Sequence, residues 1–128
     1  MSVLIIGKNG QVARALAKRA AARGMSVTVA GRPEFDLAKF YGELPTRANA
    51  VINAAAYTQV DRAEDETELA SRINGSAVGA LARASSQSDV FIHLSTDYVF
   101  AGDKPTPYVE TDPVAPNDTD AGRQQNRR

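Results

Sequence analysis

The beginning of the chain constrains the fold more than any other part of it. Residues 3–6 are continuously apolar and end at Gly7, a pattern typical of a strand buried on both faces, as in a parallel sheet. Residues 11–23 are rich in alanine, with apolar residues at helical spacing, and are followed by Gly24, a residue common at helix ends. This succession predicts a strand, a tight turn and a helix.

The same alternation continues along the chain. Segments rich in β-branched and apolar residues predict further strands at residues 26–30, 50–55 and 90–94. Helical patterns lie between them, at residues 36–41, 61–73 and 75–85, the last two hinged at Asn74 and Gly75. Four prolines follow the fourth strand and predict a loop. Strands that alternate with helices predict βαβ units and a parallel sheet.

Composition and length exclude several classes of protein. No apolar run approaches the roughly 20 residues of a membrane span. The first residues lack the pattern of a secretory signal, so we expect a cytoplasmic protein without a membrane partner. The chain of 128 residues has no cysteine, which excludes a disulfide framework, a thiolate nucleophile and a cysteine-based zinc site.

The zero net charge conceals an uneven distribution. Residues 1–60 carry eight Lys or Arg against three acids, whereas residues 61–121 carry four against twelve. A basic first half suggests that this half faces an anion. The basic residues are scattered over helical positions and are not clustered with aromatic residues, so we expect no nucleic-acid partner.

The turn after the first strand carries the most informative motif. Gly7 permits a tight turn, Gly10 allows backbone to approach a pyrophosphate, and Ala13 is small enough for the helix to pack on the strand. The start of the helix then presents free amides to the phosphates. We interpret this Gly-x-x-Gly-x-x-Ala motif as a dinucleotide-binding fingerprint. The alternative is a strand-to-helix turn that needs glycine for its geometry alone.

The residues at the end of the second strand indicate whether NADH or NADPH is preferred. An acid there would bind a ribose 2′-hydroxyl, whereas an arginine would accept a 2′-phosphate. The strand is followed by Gly31 and Arg32 with no acid at its tip, so NADPH is favoured over NADH. The alternative is that Arg32 is an ordinary solvated arginine.

The predicted fold class is therefore α/β: a Rossmann-like parallel sheet with helices on both faces, truncated at about four strands. By analogy with doubly wound sheets, the expected strand order is 3-2-1-4. Small residues at 54–56 would leave room for a cofactor beside the third strand, although alanines also pack tightly between helix and sheet. Ser95, Thr96 and Asp97 directly follow the fourth strand and are candidates for polarising a substrate oxygen.

Four segments together resemble the dTDP-4-dehydrorhamnose reductase family, an extended branch of the short-chain dehydrogenase/reductases. They are a Gly-x-x-Gly-Gln fingerprint, Asn-Ala-Ala-Ala-Tyr-Thr-x-Val-Asp-x-Ala-Glu at residues 53–64, Ile73-Asn74, and Ser-Thr-Asp-Tyr-Val-Phe-x-Gly at residues 95–102. The resemblance covers residues 1 to about 117. It implies reduction of the 4-keto group of a dTDP-sugar to dTDP-L-rhamnose with NADPH or NADH, for bacterial polysaccharide.

The resemblance also implies roles for individual residues. Gly10, Gln11 and Val12 would hold the pyrophosphate. The adenosine and nicotinamide-ribose path would be lined by Asp36, Leu37, Ala56, Tyr57 and Thr58. Thr96 would be the hydroxyl of the catalytic trio, and Asp97 would lie beside the sugar nucleotide. We transfer no metal ligand, because some members have a glutamate on the first helix where this chain has Ala15. His93 is interpreted as a structural strand residue.

One departure from the family concerns the chemistry. Family members donate a proton from a Tyr-x-x-x-Lys motif placed shortly after the proline that corresponds to Pro116, and this chain has no such motif. We therefore expect residues 1–117 to be a partial NAD(P)-binding domain, inactive as written. Residues 118–128 are expected to be a disordered tail. Read in a shifted frame, residues 122–127 can encode Gly-Gly-Ser-Lys-Thr-Ala, which fits the family pattern.

Two further expectations follow from this departure. The alternative to a broken enzyme is a non-catalytic dinucleotide-binding or regulatory module. In addition, the fourth strand is apolar on both faces, so an unpaired outer edge would favour self-association of the chain.

Overall fold

Four parallel strands form the single sheet of the structure. The computed structural model describes residues 1–115, so the predicted tail at 118–128 lies outside the described residues. The strands are β1 (Ser2–Ile6), β2 (Ser26–Ala30), β3 (Ala50–Asn53) and β4 (Val90–His93). Their order is β2-β1-β3-β4, and all pairings are parallel. The predicted Rossmann-like α/β class is confirmed, and each predicted strand is present within two residues of its predicted bounds.

The expected strand order 3-2-1-4 is wrong in the place of the third strand. β3 pairs with β1 on the side away from β2, so that Ile6 lies between Ala30 and Asn53. Residues 31–49 contain one 3₁₀ turn, Leu37–Lys39, where a full crossover helix and an outer strand would be needed for the expected order. β3 is also largely buried, which suits an inner position, whereas β2 exposes alternate polar residues and suits an edge.

Helices cover both faces of the sheet. On one face α1 (Gln11–Ala22) packs through Ala13 against Val3 and Ile5. On the other face α4 (Ala77–Ala84) places Leu81 against a cluster that includes Leu4. Alternate residues of β1 point to opposite faces, so this strand is fully enclosed. Burying each large apolar side chain of this kind contributes about 1.5–3 kcal/mol to stability.

The segment between β3 and α4 is helical but broken. It comprises α2 (Val60–Asp65), α3 (Thr67–Ser71) and a π-helical turn, Arg72–Ser76, that leads directly into α4. The predicted hinge at Asn74 and Gly75 is wrong in position, because both residues are buried within the continuous π turn. The break lies instead at Glu66, whose backbone leaves the helical region at φ −111° and ψ 40°.

Within residues 1–115, no helix combines the length and apolar character required to span a bilayer. The predicted loop after β4 is confirmed, with one 3₁₀ turn at Asp97–Val99. Two contacts hold the next part of this loop together. The rings of Phe100 and Tyr108 stack with centroids 4.4 Å apart, and Lys104 pairs with Asp112 at 2.6 Å.

Candidate functional site

A cavity of about 460 Å³ opens at the carboxyl ends of β1, β2 and β3. Its volume falls in the range of small-molecule and cofactor sites, and its position is where parallel sheets bind ligands. The structure places eight of the sequence-predicted residues in its wall: Gly7, Gly10, Arg32, Asp36, Leu37, Ala56, Tyr57 and Thr58. The tertiary structure thus brings together residues from three separate loops.

Gly7 makes the turn at the floor of the cavity. Its φ is +122°, a backbone conformation that residues with a side chain rarely adopt. A Cβ at this position would lie 3.0 Å from the carbonyl carbon of Ala54, in the loop after β3. The Gly7 amide donates to the carbonyl of Ala30 at 2.8 Å, which ties the turn to β2 as well. Only glycine therefore lets the three strand ends converge this closely.

The fingerprint leads directly into the first turn of α1. Gly10 is the N-cap residue in extended backbone, and it supplies no side chain to cap the first amides. The first turn contains no acidic residue. Gln11 and Val12 begin the helix beside the cavity, and both are exposed. An uncapped helix start of this kind can donate backbone N–H groups to an anion such as a phosphate.

Residues 35–38 form one side wall of the cavity. The Asp36 carboxylate accepts from the backbone amide of Ala38 at 3.0 Å and so caps the 3₁₀ turn. Arg72 supports this turn from the π-helical segment, donating from Nε to the Ala38 carbonyl at 2.6 Å and from Nη2 to the Phe40 carbonyl at 3.4 Å. Arg72 was not among the predicted residues, because a contact across 34 residues leaves no pattern in the sequence.

Tyr57 and its neighbours form the opposite wall. The Tyr57 hydroxyl donates to the Glu66 carboxylate at 2.6 Å. This hydrogen bond, together with burial and the charge of Glu66, raises the pKa of Tyr57 above its usual value. The hydrogen bond to Glu66 therefore orients the Tyr57 ring along the wall of the cavity.

The backbone of the same loop is fixed by Asn74. Its side-chain oxygen accepts from the Tyr57 amide at 2.8 Å, and its amide nitrogen donates to the Tyr57 carbonyl at 3.2 Å. Buried Asn53 holds the start of the loop in a similar way, because it accepts from the Ala55 amide at 3.1 Å. The sequence predicted only a hinge at Asn74, besides its place in the Ile73-Asn74 string of the resemblance. The π turn gives it a structural role that residue spacing did not reveal.

Thr96 and Asp97 do not line the cavity within the described part of the chain. They follow β4 at the far side of the sheet from β2, where the Leu94 amide still bonds to the Asn53 carbonyl at 3.1 Å. The Thr96 side-chain oxygen accepts from the Tyr98 amide at 3.4 Å, within its own turn. The side chain of Asp97 lies outside the described residues. The roles assigned to these two residues therefore stay predictions.

The described residues fit a dinucleotide and offer no metal centre. The cavity has a glycine turn, an uncapped helix start, and the cations Lys8 and Arg32 at one end. Within residues 1–115 there is no group of three or more His, Asp or Glu side chains that could hold a metal ion. The arrangement can therefore bind an elongated anion along the strand ends through backbone amides and cationic side chains.

Comparison with known proteins assigns the chain to a family. A protein-family model described as the RmlD substrate binding domain matches residues 1–123. The dTDP-4-dehydrorhamnose reductase of Burkholderia thailandensis is 46% identical over 123 residues, which are 91% of this chain and 40% of that protein. The reductase of Sinorhizobium fredii is 44% identical over 121 residues, again 91% and 40%.

Solved structures show the same relationship. The dTDP-4-dehydrorhamnose reductase ortholog of Clostridium acetobutylicum superposes with a TM-score of 0.87 at 32% identity, over 99% of this chain and 47% of that one. The Bacillus anthracis reductase in complex with NADP gives 0.84 at 29% identity, over 98% and 47%. The chain thus spans about two-fifths of the length of these curated relatives and about half of these solved chains. By its sequence motifs, strand order and cavity, it belongs to the dTDP-4-dehydrorhamnose reductase family.

Proposed function

We propose that this chain binds NADPH, or more weakly NADH, in the cavity at the ends of β1, β2 and β3. The observation that carries the proposal is the convergence of three strand ends on Gly7, where an added Cβ would lie 3.0 Å from the carbonyl carbon of Ala54. That convergence creates a cleft whose end carries Lys8 and Arg32. A relative from Bacillus anthracis was solved in complex with NADP, which supports the choice of ligand.

The positions of the predicted binding residues support the following roles. Gly10, Gln11 and Val12 lie at the uncapped start of α1 and would hold the pyrophosphate. Asp36 and Leu37 would face the adenosine, with Arg32 at the ribose phosphate. Ala56, Tyr57 and Thr58 would line the nicotinamide-ribose path along the other wall. These assignments place the cofactor along the carboxyl edge of the sheet.

We further propose that a full-length protein containing this segment reduces dTDP-4-dehydro-L-rhamnose to dTDP-L-rhamnose. When bound, the reduced nicotinamide cofactor would supply the hydride for this reaction. Thr96 would donate a hydrogen bond to the substrate oxygen, and Asp97 would lie beside the sugar nucleotide. Both follow β4, which pairs with β3, the strand that leads into the proposed nicotinamide path.

The polypeptide of 128 residues is proposed to bind without turnover. It has four tyrosines, and none has a lysine four residues later. The Tyr108 hydroxyl accepts from the amides of Gly102 and Lys104 at 2.9 and 3.3 Å, so it has a structural role in the loop. Without a proton donor beside the carbonyl, hydride transfer to a ketone is strongly disfavoured.

Isothermal titration with NADPH, followed by an assay with the 4-keto sugar nucleotide, tests these proposals. We expect micromolar binding and no turnover, which would describe a dinucleotide-binding module. No binding in a folded sample would overturn the cofactor proposal. Turnover near that of an intact relative would overturn the proposed inactivity. Circular dichroism on the same sample establishes that the chain is folded.

A further inference from the structure

Lys8 and Arg32 both line the cavity, and Gly31, the neighbour of Arg32, lies against the backbone of Lys8. Lys8 belongs to the fingerprint turn after β1, and Arg32 follows β2, so they come from different strands. Sequence reasoning considered only Arg32. The end of the second strand is where doubly wound folds distinguish a ribose 2′-phosphate from a 2′-hydroxyl, and a second cation there bears directly on that choice.

The position of Lys8 is imposed by the backbone. The Lys8 amide donates to the Ala30 carbonyl at 3.2 Å, which links it to the last residue of β2. A Cβ on Gly31 would lie 2.5 Å from the Cβ of Lys8 and 2.7 Å from its backbone nitrogen. The lack of a Cβ at Gly31 therefore allows its backbone to lie this close to Lys8. Because both backbones are in contact, Lys8 cannot move away from the loop that carries Arg32 without disrupting the turn.

The ammonium of Lys8 already has a carboxylate partner. Its Nζ lies 3.2 Å from Oε2 of Glu34, two residues beyond Arg32. The backbone amide of Glu34 and the neighbouring Lys8 both lower the pKa of this carboxyl, so it is ionised at neutral pH. The side chains are 48% and 70% exposed, respectively. An exposed pair of this kind is weak and can separate when a stronger anion arrives.

We propose that Lys8 is a second ligand for the 2′-phosphate of NADPH, beside Arg32, and that Glu34 limits the selectivity for NADPH over NADH. Glu34 does so by competing with the phosphate for the Lys8 ammonium. NADH carries no such phosphate and is not subject to this competition. The inference rests on the proposed cofactor site and identifies two residues that set its specificity.

Three variants and a matched control test the proposal by titration with both cofactors at low ionic strength. Glu34→Gln should raise the ratio of the NADH Kd to the NADPH Kd by about twofold to fivefold. Lys8→Met should lower that ratio by a similar factor. The double variant should match Lys8→Met alone, because Glu34 acts through Lys8. Glu43→Gln, at an exposed position outside the cavity lining, should leave the ratio unchanged.

The possible results distinguish a failure of this inference from a failure of the cofactor proposal. If the wild-type chain binds NADPH and neither single variant changes the ratio, the specificity role is overturned and the cofactor site stands. If Glu34→Gln has the same effect with and without Lys8, competition for Lys8 is overturned. If the folded wild-type chain binds neither cofactor, both proposals fail. Raising the salt concentration should reduce the effects of both variants, since surface charges are screened.

Discussion

The inner strand β1 and the edge strand β4 differ in how completely they are enclosed. Leu4 and Ile5 of β1 are fully buried, with a helix packed on each face. Among the described residues, β4 is covered on one face: Phe91 packs toward α4, whereas Val90 and Ile92 on the opposite face are 40% and 43% exposed. The proposed cofactor cavity lies at the carboxyl end of the enclosed strand β1, and the proposed substrate residues follow the half-covered strand β4.

The cavity and the residues after β4 are held in place by different contacts. The turns that form the cavity are held by hydrogen bonds between segments distant in sequence, from Gly7 to Ala30, from Arg72 to Ala38 and from Tyr57 to Asn74. The residues after β4 bond within their own turn and to the edge of β3.

The first prediction concerns turnover. The chain of 128 residues should reduce the 4-keto sugar nucleotide about 10²- to 10⁴-fold more slowly than an intact relative, or not measurably, because the general acid is absent. Single-turnover consumption of NADPH, monitored by absorbance, measures this difference. A rate within tenfold of the relative would show that another group donates the proton.

The second prediction compares the packing of the inner strand β1 with that of the edge strand β4. Leu4→Ala should lower the free energy of unfolding by about 2–5 kcal/mol, since it opens a cavity between two packed faces. Ile92→Ala should cost about 1 kcal/mol, because much of that side chain is already in water. Urea denaturation of both variants provides the measurement. Equal losses would contradict the difference in enclosure.

The third prediction separates strain from steric conflict at the cavity floor. Gly7→Ala should destabilise the fold by about 1–3 kcal/mol and abolish NADPH binding, because the new Cβ meets the Ala54 backbone. Gly24→Ala is the control: φ there is +71°, but nothing lies within 4 Å of an added Cβ. It should cost about 1 kcal/mol and leave binding intact. Loss of binding in both variants would assign the effect to global instability.

The fourth prediction concerns the partly covered strand. We propose that the chain self-associates through β4, which pairs only with β3 among the described residues and exposes Val90, Ile92 and Leu94. Ile92→Lys should shift sedimentation toward the monomer while NADPH binding is retained. A wild-type chain that is monomeric at high concentration would overturn this proposal.

The smallest effect is expected in the titration of Tyr57. Its raised pKa favours the neutral phenol in the fold, so this contribution to stability is present below about pH 10 and is lost as pH rises through the folded pKa. Glu66→Gln should lower the pKa of this tyrosine, as followed by the ultraviolet absorbance of phenolate. The Tyr57→Phe variant lacks this phenol and so shows which part of the absorbance change belongs to Tyr57. An unchanged titration would show that the hydrogen bond to Glu66 does not form in solution.

Much of the fold could be predicted because its signals are local. Apolar runs identified all four strands, and the glycines around the first turn identified the start of α1. The strand order could not be predicted in this way, since the pairing of β3 with β1 depends on the short connection at residues 31–49 and on long-range burial. The position of the helix break was also missed, because buried contacts keep Asn74 helical.

The residues of the candidate site also fall into those that the local sequence indicates and those that depend on distant contacts. Glycine motifs and Arg32 could be recognised by type and spacing, since those residues act through their own backbone or charge. Lys8, Glu34, Glu66, Arg72 and Asn74 act through partners distant in sequence, and no spacing rule points to them.

The family, the α/β class and the turn at Gly7 are determined by the amino-acid sequence, because each depends on neighbouring residues. The tertiary structure decided which strand lies beside β1 and which side chains support Tyr57. It also decided that Lys8, in the cavity lining, pairs with Glu34. These features depend on contacts between segments that only folding brings together, where packing and charge outweigh local preference.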